Sequence, residues 1–220
     1  IGVTGLLPIT SGATCKLYGK NVYPNFAHMY SNSAIINPSK GTWEQTTMTQ
    51  SYEFHQLIEP EIGEAWQDMN VINNVLDYSF ESDSSFCVLG ITLTSHVPFM
   101  YGVEHTMHEF ENMPQTMSAY LNCLHYTDSC IGVLLDSVLN SPLAENTTIV
   151  ITGDHTIFRD EIGFSINPAD SCVTTSHKSR VTFNINKVSG VSIIRLFFVI
   201  LRVFSFFIHL LIFFSVCDWR

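Results

Sequence analysis

Two almost unbroken apolar runs, separated by a long amphipathic stretch, dominate the pattern of the chain. Phe86-Cys87-Val88-Leu89-Gly90-Ile91-Thr92-Leu93 is apolar at nearly every position, as suits a strand buried on both faces of a parallel sheet. Thr147-Thr148-Ile149-Val150-Ile151-Thr152 has the same character and is closed by Gly153-Asp154-His155. Between them, Pro114 opens a segment in which Met117, Leu121, Leu124, Ile131, Leu135 and Val138 form an apolar stripe. That stripe predicts a helix reaching about Asn140, packed on the core and stopped by Ser141-Pro142. Strand, long helix, strand is a crossover unit, and it predicts an α/β fold. Trp66, Met69, Ile72, Val75 and Leu76 predict a further helix over 64–79. Residues 1–30 read as loop with a short helix from about Asn25, and residues 31–60 as loop mixed with short elements.

The carboxyl-terminal stretch changes character. Leu196 to Val216 is nearly all Leu, Ile, Val and Phe, interrupted by Arg202 and His209. Its length, about 20 residues, is that of a bilayer span. It predicts an apolar helix lying apart from the sheet, with Arg195 and Asp218-Trp219-Arg220 near the two membrane interfaces. An out-of-frame read after about residue 180 would produce the same abrupt shift. The expected division is a domain over 1–185 and an apolar tail over 190–220.

Charge narrows the partners. Only 14% of the 220 residues are charged and the formal net charge is −10. That balance argues against nucleic acid, whose phosphates need clustered Lys and Arg. An anionic substrate remains compatible if a bound cation supplies the positive charge. The six cysteines, at 15, 87, 123, 130, 172 and 217, include no CxxC pair, which disfavours a zinc ribbon or thioredoxin site. Cys123 and Cys130 stand two helical turns apart, roughly 10 Å, too far for a disulfide. Most of the thiols read as buried apolar filler. Ile1-Gly2-Val3-Thr4 has no basic stretch before an apolar core, so it is not a signal peptide, and the chain is expected to begin inside a longer protein.

The candidate chemistry sits at strand ends, where open α/β sheets collect their ligands. Asp154 and His155 directly follow the second apolar run and offer an oxygen and a nitrogen ligand to one divalent cation. The alternative is a turn in which the Asp caps a helix and the His is incidental. His96 follows the first run, ahead of Val97-Pro98-Phe99, and could donate to a phosphate or sulfate oxygen. Its alternative is a loop histidine bonded to nearby backbone. His125 and Asp128, on the crossover helix, read as structural, and His105 and His108 as surface loop.

Three ordered stretches carry a resemblance. They are Ile91-Thr92-Leu93-Thr94-Ser95-His96-Val97-Pro98-Phe99, then Tyr120-Leu121-Asn122-Cys123-Leu124-His125-Tyr126-Thr127-Asp128-Ser129-Cys130-Ile131-Gly132, then Asn146-Thr147-Thr148-Ile149-Val150-Ile151-Thr152-Gly153-Asp154-His155. Weaker similarity runs through Gly5-Leu6-Leu7-Pro8, Lys20-Asn21-Val22-Tyr23-Pro24 and Gly41-Thr42-Trp43-Glu44-Gln45. Over roughly residues 1–160 the chain resembles the lipoteichoic-acid-synthase-like branch of the alkaline-phosphatase/sulfatase superfamily. The resemblance implies an incomplete alkaline-phosphatase-like α/β fold, with a mixed or parallel sheet flanked by helices. It implies metal-dependent transfer or hydrolysis of phosphate or sulfate esters, lipid-linked ones among them. It gives Asp154 and His155 the role of ligands to a divalent metal, Mn first, with Mg, Ca or Zn as alternatives. His96 and Trp43 take the substrate-binding places.

The resemblance also marks departures. Gln45 stands where the family has an arginine, which removes one fixed positive charge from the anion site. The family's nucleophilic threonine and its glutamate ligand correspond to positions upstream of Ile1, so the nucleophile is unknown here and Thr4, Thr10 and Ser11 are not assigned to it. Trp66 and Asp68 resemble the start of a family helix and read as structural. The implied setting is the cell membrane, with the catalytic domain extracytoplasmic. The expected activity of the chain is impaired. The rival readings are a non-catalytic degenerate family member and a membrane-tethered binding module.

Overall fold

The computed structural model describes residues 14–38, 45–60, 68–99, 113–153 and 210–216. In chain order these residues form α1 (Thr14–Tyr18), a 3-10 turn (Phe26–Met29), β1 (Asn32–Ile36), α2 (Gln45–Ser51), β2 (Gln56–Ile58), α3 (Asp68–Glu81), β3 (Phe86–Ile91), α4 (Gln115–Leu139), a second 3-10 turn (Pro142–Glu145), β4 (Thr147–Gly153) and β5 (Leu210–Val216). The five strands make one sheet in the order β2-β1-β3-β5-β4. β1 pairs parallel with both β2 and β3. β5 pairs antiparallel with both β3 and β4. β3 and β4 therefore run the same way, one strand apart, and the four strands β2, β1, β3 and β4 open their carboxyl ends at one edge.

Period-two alternation sends successive side chains to opposite faces, and both faces are covered. Ala34, Ile36, Phe86, Val88, Ile149 and Ile151 pack with α3 and α4 through Val71, Ile72, Val75, Cys130, Leu134 and Val138. Ile35, Cys87 and Leu89 face the other way, onto Ala27 and Phe54. Continuous apolar strands are what this two-sided burial requires.

α4 begins where Pro114 predicts it and ends at Leu139. Its buried seam differs from the predicted stripe. Tyr120, Cys123, Tyr126, Thr127, Cys130 and Leu134 are buried alongside Met117, Ile131, Leu135 and Val138, whereas Leu121 and Leu124 pack only partly, at the margin. Tyr, Cys and Thr fill close-packed positions here that an apolar count passes over.

The carboxyl-terminal expectation needs correction. Residues 210–216 are not part of an apolar helix standing apart from the sheet. They form β5, hydrogen-bonded on both sides, with Leu89 opposite Phe213 and Phe213 opposite Val150. A short apolar run suits a central strand as well as a helix, and two flanking strands satisfy its backbone. Residues 196–209 lie outside the described residues. Among the described residues no helix is long and apolar enough to cross a membrane.

Candidate functional site

The loop leaving β3 is built by two successive turns. His96 N–H donates to the Leu93 carbonyl at 3.0 Å, and Phe99 N–H donates to the His96 carbonyl at 2.9 Å. Thr92, Leu93, Thr94 and Ser95 are buried, and His96 is half-buried just beyond them. His96 thus stands at the carboxyl edge of the sheet, as its place after the apolar run predicts. Its Nδ1 lies 2.7 Å from the Val97 carbonyl oxygen. A carbonyl only accepts, so Nδ1 carries the hydrogen, and the Nε2 of the neutral ring is an acceptor. To donate to an ester oxygen through Nε2, His96 must be the imidazolium.

The far end of the loop is plugged into α4. Phe99 is 2% exposed and packs on Tyr120 at 5.1 Å between ring centroids. Its carbonyl accepts from the Cys123 thiol at 3.3 Å. Phe99 has φ 60, a left-handed conformation that a bulky side chain adopts only when its surroundings hold it there. The Val97–Pro98 peptide is cis.

The near end of the loop is held by Asp68, the first residue of α3. The side chain is fully buried. Oδ1 accepts from Leu93 N–H at 2.7 Å and Thr94 N–H at 2.9 Å, and Oδ2 accepts from the Thr127 hydroxyl at 2.6 Å. Asp68 N–H in turn donates to Thr94 Oγ1 at 3.2 Å. Burial, followed by the nearby Asp68 charge, pushes the thiols of Cys123 and Cys130 up to about 12. Burial alone does the same to Cys87. All three are free, buried thiols, in keeping with the filler role expected of most of the cysteines.

Of the remaining sequence-predicted site residues, Asp154, His155 and Trp43 lie outside the described residues. Asp154 and His155 follow Gly153, the last residue of β4; Thr152, just before it, is level through β5 with the end of β3, since Ile91 pairs with Leu211 and Leu211 with Thr152. Strands two places apart in a sheet are separated by about 10 Å, the span of a small substrate group. Gln45 begins α2 and is 4% exposed. Among the described residues no three His, Cys, Asp or Glu side chains converge on a common point. An oxygen and a nitrogen ligand side by side, as Asp154 and His155 supply, is chemistry that suits a divalent cation.

Residues 9–182 match the family model described as Sulfatase. The chain belongs to the sulfatase family. A curated relative named Sulfatase, from Formosa agariphila, is 28% identical over 95 residues, which are 43% of this chain and 18% of that protein. A crystal structure of an alkaline phosphatase superfamily protein from Vibrio parahaemolyticus superposes with TM-score 0.57 at 22% identity, over 76% of this chain and 43% of that one. The lipoteichoic acid synthase LtaP from Listeria monocytogenes superposes with TM-score 0.59 at 14% identity, over 99% of this chain and 52% of that one. This sulfatase-family chain thus spans about half the length of those structures and less than a fifth of the curated relative. The likeness to the two structures establishes an alkaline-phosphatase-like α/β fold.

One structural element of the sulfatase domain escapes sequence reading. Asp68 reads as an ordinary helix-start acid, and Thr127 as one more position on a long helix. The only sequence signal for their role is a carboxylate at the first turn of a helix that packs beside a strand-end histidine.

Proposed function

We propose that this domain serves metal-assisted transfer or hydrolysis of phosphate or sulfate esters. The observation that carries this reading is the shared sheet edge. β3 ends at the His96 loop, and β4, parallel to it, runs directly into Asp154-His155, within a chain whose residues 9–182 match the sulfatase model.

In this reading Asp154 and His155 hold a divalent cation, Mn first, with Mg, Ca or Zn as alternatives. When bound, the cation neutralises charge on the ester oxygens. His96, as the imidazolium, donates to an ester oxygen, and Trp43 lines the substrate side. The substrate class includes lipid-linked esters and the setting is an extracytoplasmic membrane face; fold likeness to a lipoteichoic acid synthase supports both. A second reading, a family member that binds the anion without turning it over, is favoured by Gln45. A buried neutral amide stands there in place of a guanidinium that would grip phosphate.

Calorimetric titration of MnCl2 into the chain tests the site. One binding event is expected, lost in both Asp154→Ala and His155→Ala. Manganese binding that survives both substitutions would overturn the cation assignment. Turnover of p-nitrophenyl phosphate or p-nitrophenyl sulfate by the same preparation favours the enzyme, and manganese and phosphate binding without turnover favours the binding reading.

A further inference from the structure

We propose that Asp68 is the positioning residue of the His96 loop: one buried carboxylate fixes where the histidine stands at the sheet edge. The inference rests on the proposed anion-binding role of that edge. Its geometry is independent of it.

Among the described residues, the bonds of Asp68 go to the loop and to α4. Both oxygens are used, on Leu93 N–H, Thr94 N–H and the Thr127 hydroxyl. Its own N–H bonds back to the same loop through Thr94 Oγ1. Asp68 stands in the first turn of α3. A buried carboxylate is costly unless it is hydrogen-bonded, and here Oδ1 takes the backbone that leads into His96 while Oδ2 takes Thr127 of α4. Leu93 is the hinge of that arrangement: its N–H is held by Asp68, and its carbonyl receives His96 N–H.

α4 completes the device. Tyr120, Cys123 and Thr127 follow a three–four spacing, so they share one helix face. Thr127 ties that face to Asp68. Tyr120 and Cys123 tie it to Phe99. His96 lies between the two anchorages, with its ring locked by Nδ1 on Val97. A shift of the carboxylate would release the near anchorage while leaving the far one in place, and His96 would swing about Phe99.

Asparagine separates position from charge. Its Oδ1 can still accept both N–H groups, and its amide can donate to the Thr127 oxygen. The test uses the full chain labelled with [15N]histidine, with the His96 imidazole signals assigned by their loss in His96→Gln. Asp68→Ala is expected to move those signals without any ligand. In the presence of MgCl2 it should raise the inorganic phosphate concentration for half-saturation at His96 by about tenfold, the low end for groups that orient a site residue. Asp68→Asn should restore both readings, and Thr127→Val should move them in the direction of Asp68→Ala by a smaller amount. Val138→Ala, in the core at the far end of α4, should lower Tm and leave the His96 signals in place.

His96 signals unchanged in both Asp68→Ala and Thr127→Val would overturn the proposal and leave Asp68 a packing residue. If Asp68→Ala does not fold, Thr127→Val decides in the same two directions. Phosphate that fails to perturb His96 in the unsubstituted chain would sink the anion-site reading alone, because the ligand-free displacement still reports on positioning.

Discussion

The two edges of the sheet use similar groups at similar distances, with different consequences. At the carboxyl edge, Asp68, Thr94 and Thr127 are all buried, and their bonds run between 2.6 and 3.2 Å. At the amino edge, Asn25 donates to the carbonyls of Tyr23 and Tyr52 at 3.0 and 2.8 Å, and His28 faces Glu53 at 3.3 Å. There Glu53 is 54% exposed and His28 34%. Water competes for the His28–Glu53 pair and reaches the half-buried Asn25, whereas the bonds around Asp68 are buried. Bond length alone does not rank the two edges. Exposure does, because an exposed ion pair contributes little, whereas a buried group deprived of its partner suffers its full desolvation penalty.

The largest expected effect follows from that contrast. Asp68→Ala strands two backbone N–H groups and a hydroxyl in the interior, at about 1–3 kcal/mol each. A loss of about 4 kcal/mol is expected in urea unfolding. A loss below 1 kcal/mol would place Asp68 on a par with the exposed edge and break the comparison.

Phe99→Ala comes next. Truncating a buried Phe costs about 3–5 kcal/mol, and alanine at φ 60 relieves little of the backbone strain, so about 3 kcal/mol is expected in the same assay. Phe99→Gly should be less damaging than Phe99→Ala, because glycine adopts that φ freely. The reverse order would remove the argument that the left-handed residue is held by its side chain.

The thiols give a pH dependence. Cys87, Cys123 and Cys130 have folded values raised to about 12 from an ordinary 9.0. The unfolded chain therefore loses these protons first, and stability falls as pH rises from about 9 towards 12. Each thiol contributes up to about 1.4 kcal/mol per pH unit. Urea midpoints at pH 8, 9 and 10 should decline from the second value on, and replacing Cys123 with alanine should flatten the slope. Slow labelling of Cys87, Cys123 and Cys130 in the native chain at pH 8, located by peptide mapping, should accompany this.

The smallest effect belongs to the amino edge. Glu53→Gln removes the ion pair with His28, and a change of no more than about 0.5 kcal/mol is expected. A loss comparable to that of Asp68→Ala would show that the exposed edge is as firmly built as the buried one.

Legibility of the sequence followed the reach of each interaction. α4, α3, β3 and β4 were readable because an apolar stripe or an apolar run is a local signal repeated over many residues. β1 and β2 were not. Asn32–Ile36 and Gln56–Ile58 are short; β1 is placed by β3, far along the chain, and β2 by β1. The sequence of β5 suits a helix equally well, because an apolar run carries no mark of the strands that will flank it. His96 was legible as a strand-end residue. The clamp on its loop was not, since Asp68 meets Leu93, Thr94 and Thr127 across 25 to 59 residues of chain.

β5 has a consequence for how the protein comes into being. The two strands that lead to His96 and to Asp154-His155 are never hydrogen-bonded to each other; each is bonded to β5. On the ribosome, both strands emerge well before Leu210–Val216 does, and until then each keeps an open edge. Such edges invite wrong pairing while a chain waits. Joining Ile91 to Leu211 is also a distant closure, the kind that slows folding. The sheet edge that brings the two halves together is therefore a late product of synthesis, and a nascent chain stalled short of residue 210 would hold both halves without the strand that sets their spacing.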